Sequence, residues 1–245
     1  MREFLLLLAA IAPALFLVRT FVRRDIFPEP TPHIVMSFLF GIFIIPLILF
    51  VAAPMTDFCA TIEDAVSRPA ATAFLCAAIP EEVFKWLVVA GVCARWSDFD
   101  EVMDGIVYGA CASLGFACLE NVLYVQATGW STAVIRAVTA VPAHACFGAI
   151  LGYFVARFRF AREGRIKWLV LSIVVPIVLH GLYDAPLMIV ASHESLGSKP
   201  TLFLLMLFLG VMTSMLIATM RLVSKVREEQ LRLLEAQGSS RGVGT

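Results

Sequence analysis

Seven predominantly apolar runs divide this chain, at about residues 3–23, 33–53, 69–95, 102–127, 131–158, 166–191 and 200–223. A bilayer-spanning helix needs roughly 20 such residues, and each run supplies them. Composition agrees: 60% of the 245 residues are hydrophobic and 16% are charged, against about half and a quarter in soluble domains. Mean hydropathy is +0.88. The expectation is an all-α, polytopic transmembrane helix bundle of about seven helices. Residues 1–223 form its membrane-embedded part. The segment 224–245 forms a cytoplasmic helical extension, "RLVSKVREEQLRLLEAQ" continuing the last helix before "GSSRGVGT" frays into a flexible tail.

The first run, "FLLLLAAIAPALFLV" after Arg2, resembles a signal peptide. It is long for the apolar region of one and leads into the basic flank "RTFVRR", so it reads as a retained helix. Basic residues set orientation. They crowd the flanks after the first, third, fifth and seventh runs, while the opposite flanks carry only Arg2, Arg68, Arg136 and Lys199. The N-terminus is therefore expected outside and the C-terminus in the cytoplasm. Zero formal net charge gives no nucleic-acid footprint. Of the six cysteines, all but Cys59 lie in apolar runs, and none makes a C-x-x-C pair. They read as small hydrophobes rather than as disulfides or thiolate metal ligands.

Against this background the stretch "PEEVFKW" (80–86) stands out, with Glu81, Glu82 and Lys85 inside the third run. Charge at membrane depth costs several kcal/mol and persists where it is paired or lines a wet cavity. The fourth run adds Glu120 and Asn121, the fifth His144, and the sixth His180 and Asp184. At about 1.5 Å per residue, Glu81, His144 and His180 lie roughly 15–20 Å from the outer ends of their helices, and Glu120 roughly 10 Å. Four helices of alternating direction thus deliver polar groups to similar levels, which points to one shared site.

Spacing adds roles. Glu81 and Lys85 share a helix face at i, i+4, while Glu82 points about 100° away. One glutamate then pairs with Lys85 and stays structural, leaving the other as base. Asp184 is placed to fix the tautomer of His180. Gly105, Gly109, Gly115, Gly148 and Gly152 permit close helix approach. Pro80 and Pro142 precede the polar positions, where a lost amide can open a helix. Two carboxylates, two imidazoles and an asparagine suit hydrolysis of a carbonyl compound without a nucleophilic side chain: a glutamate deprotonates water, and a histidine or Asn121 stabilises the oxyanion. The competing chemistry is zinc on His144, His180 and a carboxylate such as Glu120. No H-E-x-x-H occurs; "SHES" at 192–195 lacks the second histidine. Buried ion pairs that only join helices are the structural alternative. His33 and His193 read as solvated edge residues, Asp104 as a helix-start carboxylate, Arg136 as a headgroup anchor, and Tyr108 and Tyr124 as packing or interface belt.

"EEVFK" (81–85), "FACLE" (116–120), "HACFG" (144–148) and "HGLYD" (180–184) resemble, in order, the blocks of PrsW-type membrane proteases, a group related to the CAAX prenyl endopeptidases. The match spans about residues 70–190, and the first, second and seventh runs add nothing to it. The CAAX enzymes carry E-E-x-x-x-R, whereas here the cation comes one residue earlier, at Lys85, followed by Trp86. The resemblance implies an intramembrane endopeptidase in a cell membrane, the bacterial inner membrane among them. Its substrate would be a membrane-anchored protein, in PrsW itself an anti-sigma factor cut at a first site in stress signalling. By position it implies Glu81, Glu82, Glu120, His144 and His180 as catalytic residues, with Lys85, Asn121 and Asp184 in support. The family has been labelled both glutamate-based and metallopeptidase, so zinc stays open beside a cofactor-free site. A proton-relaying transporter and a non-catalytic scaffold are the readings from other classes. No inverted repeat favours the former.

Overall fold

The computed structural model describes residues 1–193 and 197–242. Among these the chain is helical throughout, without strands. Six helical segments are long and apolar enough to cross a membrane. They are α1 (Arg2–Val22); α2 (Thr31–Phe43) continued by α3 (Ile45–Ala60); α6 (Val102–Thr128); α7 (Trp130–Val138) continued by α8 (Ala140–Phe160); α9 (Arg165–Ser192); and α10 (Ser198–Gly242).

The third predicted run is helical as well, but broken. It consists of α4 (Ser67–Ala71), a π-helical stretch Thr72–Ala78, α5 (Ile79–Gly91) and a 3₁₀ turn Cys93–Arg95. No single piece reaches spanning length, and this interrupted segment carries the charges. Proline explains the neighbouring breaks. Pro46 is the second residue of α3, just after the break at Ile44. Pro142 is the third residue of α8, just after the break at Thr139. Each lacks the amide that would bond the residue four positions earlier. Pro80 likewise marks the point where the π stretch returns to regular helix, so the geometry changes directly before Glu81.

α6 is the central helix, buried along most of its length and packed chiefly against α8, with α2 and α1 on its other sides. The expected glycine contacts are real. A Cβ on Gly109 would strike the carbonyl oxygen of Gly148, and one on Gly105 that of Gly152. Gly115 meets the backbone of Phe38 on α2 instead. This closeness lets α6 and α8 hold Glu120 and His144 face to face. α10 is one continuous helix beyond residue 223, and its Gln230 folds back to the α1–α2 connection and the start of α6.

Candidate active site

α5 lies between α6, α8 and α9 and presents Glu81, Glu82 and Lys85 to all three. Lys85 is the hub. Its Nζ donates to Glu82 Oε1 at 2.7 Å, to Glu81 Oε2 at 3.2 Å and to His144 Nδ1 at 3.2 Å. An ammonium has three protons, and these contacts use all of them. It also sits 4.2 Å from the centre of the Phe116 ring, and the lysine is 1% exposed.

The expectation that Lys85 pairs with one glutamate and leaves the other free is thus corrected. Positions i, i+3 and i, i+4 both fall within reach of a long side chain, so it holds both. The two carboxylates differ in surroundings. Glu82 is sealed in: beyond Lys85 it meets His180 Nδ1 at 2.9 Å, and its second oxygen has no partner. Glu81 borders a cleft of about 270 Å³ between α3, the π stretch, α6 and α9. Glu120 and Tyr124 line the same cleft. At about 30 Å³ per water, it has room for several water molecules beside the Glu81 carboxylate.

The histidines are oriented by their partners. His144 Nδ1 accepts from the ammonium, so Nε2 is left to donate to Glu120 Oε2, at 3.1 Å. His180 lies between Glu82 and Asp184, whose Oδ2 is 3.1 Å from its Nε2; Glu81 Oε2 is 3.9 Å from the same nitrogen. Its ring stacks on Phe147, with centroids 4.7 Å apart. The predicted His180–Asp184 pair is therefore present, as is the meeting of all four helices.

Asn121, one of the two candidate oxyanion donors, sits instead in the supporting place the resemblance implies: it donates to the Ala10 carbonyl at 2.8 Å and accepts from Arg136 Nε at 3.0 Å. Arg136 is no headgroup anchor. α7 turns it inward, where its guanidinium pairs with Glu120 and lies 4.2 Å over the Tyr124 ring. The available signal was an arginine five residues inside an apolar run, at a level comparable to Glu120. Other readings are refined at the far end of the bundle. Asp104 caps the start of α6 as expected, accepting the Asp100 and Glu101 amides at 2.7 Å each. Tyr108 is fully buried and donates to Glu29 rather than only packing. His33 stacks on Trp96 at 4.3 Å and reaches Asp98 at 3.0 Å.

The zinc set of His144, His180 and Glu120 is not assembled. The carboxylates within ligand range of both histidines are Glu81 and Glu82, whose oxygens lie within 4.8 Å of a nitrogen of each. By donor type these four suit zinc. The Lys85 ammonium sits among Glu81, Glu82 and His144 and competes for one ligand atom of each, while the second Glu82 oxygen and His180 lie outside its reach.

A helical bundle that keeps acids, imidazoles and a cleft within its spanning helices defines a class: polytopic membrane proteins with an internal polar centre. Sequence comparison specifies it further. Residues 29–217 match the family described as PrsW family intramembrane metalloprotease. The Protease PrsW of Geobacillus kaustophilus is 39% identical over 206 residues, covering 84% of this chain and 88% of that protein. That of Bacillus subtilis is 38% identical over 183 residues (74% and 82%), and that of Clostridioides difficile 30% over 192 (76% and 79%). No solved structure matches. The chain belongs to the PrsW family, and it is a multi-pass intramembrane protease.

Proposed function

We propose that this protein cleaves membrane-anchored proteins by glutamate-activated water, with Glu81 as the base and without a catalytic metal. The observation that carries this is the position of Lys85. The one ammonium serves two adjacent carboxylates, Glu82 at 2.7 Å and Glu81 at 3.2 Å. Glu81 has the longer contact to Lys85 and borders the cleft, so it is the one free to act on water.

Glu81 takes a proton from water as its oxygen attacks the scissile carbonyl carbon. His180, the nearest donor, stabilises the developing oxyanion. When the tetrahedral intermediate collapses, the C–N bond breaks, and Glu81 passes its proton to the leaving nitrogen. The products are a carboxylate and an amine. Glu82 holds Lys85 and His180 in register, while Glu120 and Arg136 hold His144.

The cleft opens among apolar residues of α3 and the π stretch, which suits a peptide entering from the bilayer. A membrane-anchored anti-sigma factor, the substrate that the family resemblance implies, falls in this class. The N-terminus outside and the C-terminus in the cytoplasm complete the proposal, on the distribution of arginine and lysine. The test is cleavage of a membrane-anchored reporter by the purified protein in liposomes. Cleavage that disappears in Glu81→Gln supports the reading. Ion flux without cleavage would favour the transporter instead, and cleavage unchanged in Glu81→Gln would overturn the assignment of the base.

A further inference from the structure

At the other end of α6, roughly 24 Å from Glu120 at 1.5 Å per residue, a second group of acids gathers that proteolysis does not use. Asp25 and Glu29 come from the α1–α2 connection and Asp104 from the first turn of α6. One carboxylate oxygen of each lies within 4.8 Å of the others. The three residues are 9%, 8% and 0% exposed. Among the described residues no lysine or arginine pairs with any of them. Asp100 and Glu101 stand beside them and add further negative charge.

Hydrogen bonds hold this group without completing it. Asp104 Oδ2 accepts two amides, and Asp25 Oδ1 accepts Gln230 Nε2 at 2.7 Å and the Phe27 amide at 3.0 Å. Tyr108 donates its hydroxyl to Glu29. Yet Asp25 Oδ2 is buried with no partner, and Asp104 Oδ1 finds no donor, its side chain facing only the Glu29 carboxylate. Carboxylate oxygens that meet only one another, in a triad without a cationic side chain, are costly to bury, and a bound cation removes that cost.

The donors are all oxygens, which suits hard cations rather than zinc. Ligands around such an ion, at about 2.0–2.6 Å each, stand at most roughly 4–5 Å apart, and the three carboxylate oxygens lie within that range. A cavity of about 340 Å³ lined by Asp100, Glu101, Glu229 and Gln230 lies on the far side of Gln230, the hydrogen-bond partner of Asp25, with room for a hydrated ion at about 30 Å³ per water.

We propose that Asp25, Glu29 and Asp104 form a site for a hard divalent cation of the Mg²⁺, Ca²⁺ or Mn²⁺ kind, which clamps the α1–α2 connection to the start of α6. Gln230, bonded to both Asp25 and Glu101, ties α10 to the same clamp. The site is independent of the proteolytic centre.

The test uses full-length protein in detergent, stripped with EDTA and titrated separately with MgCl₂, CaCl₂ and MnCl₂. A saturable rise in Tm of several degrees with at least one cation is expected, by preferential binding to the folded state. The rise should persist in Glu81→Gln and vanish in Glu29→Gln; Asp25→Asn serves if that variant does not fold. Terbium supplies a direct readout, since an ion at Glu29 lies beside the Tyr108 ring. Emission excited through tyrosine should saturate in the wild type and drop in Glu29→Gln and Tyr108→Phe. Absence of any saturable Tm shift and of sensitised emission would overturn the proposal. So would an equal response in wild type, Glu29→Gln and Asp25→Asn.

Discussion

Glu81→Gln and Glu82→Gln should fail in different ways. The two residues are adjacent and chemically identical, and both touch Lys85, so the difference rests wholly on their surroundings. Glu82 has a fully buried side chain and two strong charge-assisted contacts, at 2.7 Å to Lys85 and 2.9 Å to His180. Removing its charge strips a buried cation of its best partner, which costs about 3–5 kcal/mol. At about 2–4 °C per kcal/mol for a chain of this size, Glu82→Gln should melt roughly 6–20 °C below wild type. Glu81 gives up one longer bond, of 3.2 Å, and its side chain is 10% exposed to the cleft. Losing a single hydrogen bond to a charged group there costs about 1.5–3 kcal/mol at most, and water in the cleft offsets part of it. Its catalytic cost is larger, since a positioned base contributes about 10²–10⁴-fold. Reporter cleavage in liposomes, paired with thermal unfolding, reads both quantities. Glu81→Gln should lose clearly less Tm than Glu82→Gln and be slower than wild type by at least about 10²-fold. A stable, inactive Glu82→Gln beside an active Glu81→Gln would refute the division of roles.

Other consequences test the frame around the site. Gly109→Val places a side chain against the Gly148 carbonyl, where backbone faces backbone, so it should cost about 1–3 kcal/mol or more by overpacking and lower Tm accordingly; unchanged melting would mean that α6 and α8 are farther apart. For orientation, Ser198→Cys should react with an impermeant maleimide from outside, and Glu163→Cys only after permeabilisation; neighbouring Gly164, at φ +64°, is left untouched. Outside labelling at both positions would sink the topology. The Cys59 and Cys76 sulfurs lie 3.6 Å apart, and Cys76 borders the cleft. A mild oxidant should draw two protons and two electrons from the pair to form a disulfide, removing two of six free thiols and slowing cleavage. An unchanged thiol count would show that α3 and the π stretch are not in this contact.

Much of the architecture was legible because bilayer-length apolar runs leave a chain few alternatives. The convergence of Glu81, Glu120, His144 and His180 followed from depth alone, since helical rise converts sequence position into level. Azimuth was harder. Helical spacing assigned Lys85 to one glutamate, but a flexible four-carbon stem reaches both. It could not tell that Asn121 turns toward α1, or that α7 tilts Arg136 inward, because both depend on packing between helices that carry no pattern of their own. The break into α4, π stretch and α5 left only Pro80 as a trace. Asp25 and Glu29 sit in a short connection without periodicity, so their meeting with Asp104 is visible only in three dimensions.

If the Lys85 ammonium, rather than a metal, organises the proteolytic centre, metal content and activity measured on one sample will be unrelated. The assay is cleavage by purified protein with zinc counted in the same sample. A zinc-selective chelator is added while Mg²⁺ and Ca²⁺ are kept in excess, so that a cation at Asp104 is undisturbed. Full activity is expected with zinc far below one per chain, and no change on chelation. Stoichiometric zinc, with activity lost on chelation and restored by adding zinc back, would contradict it.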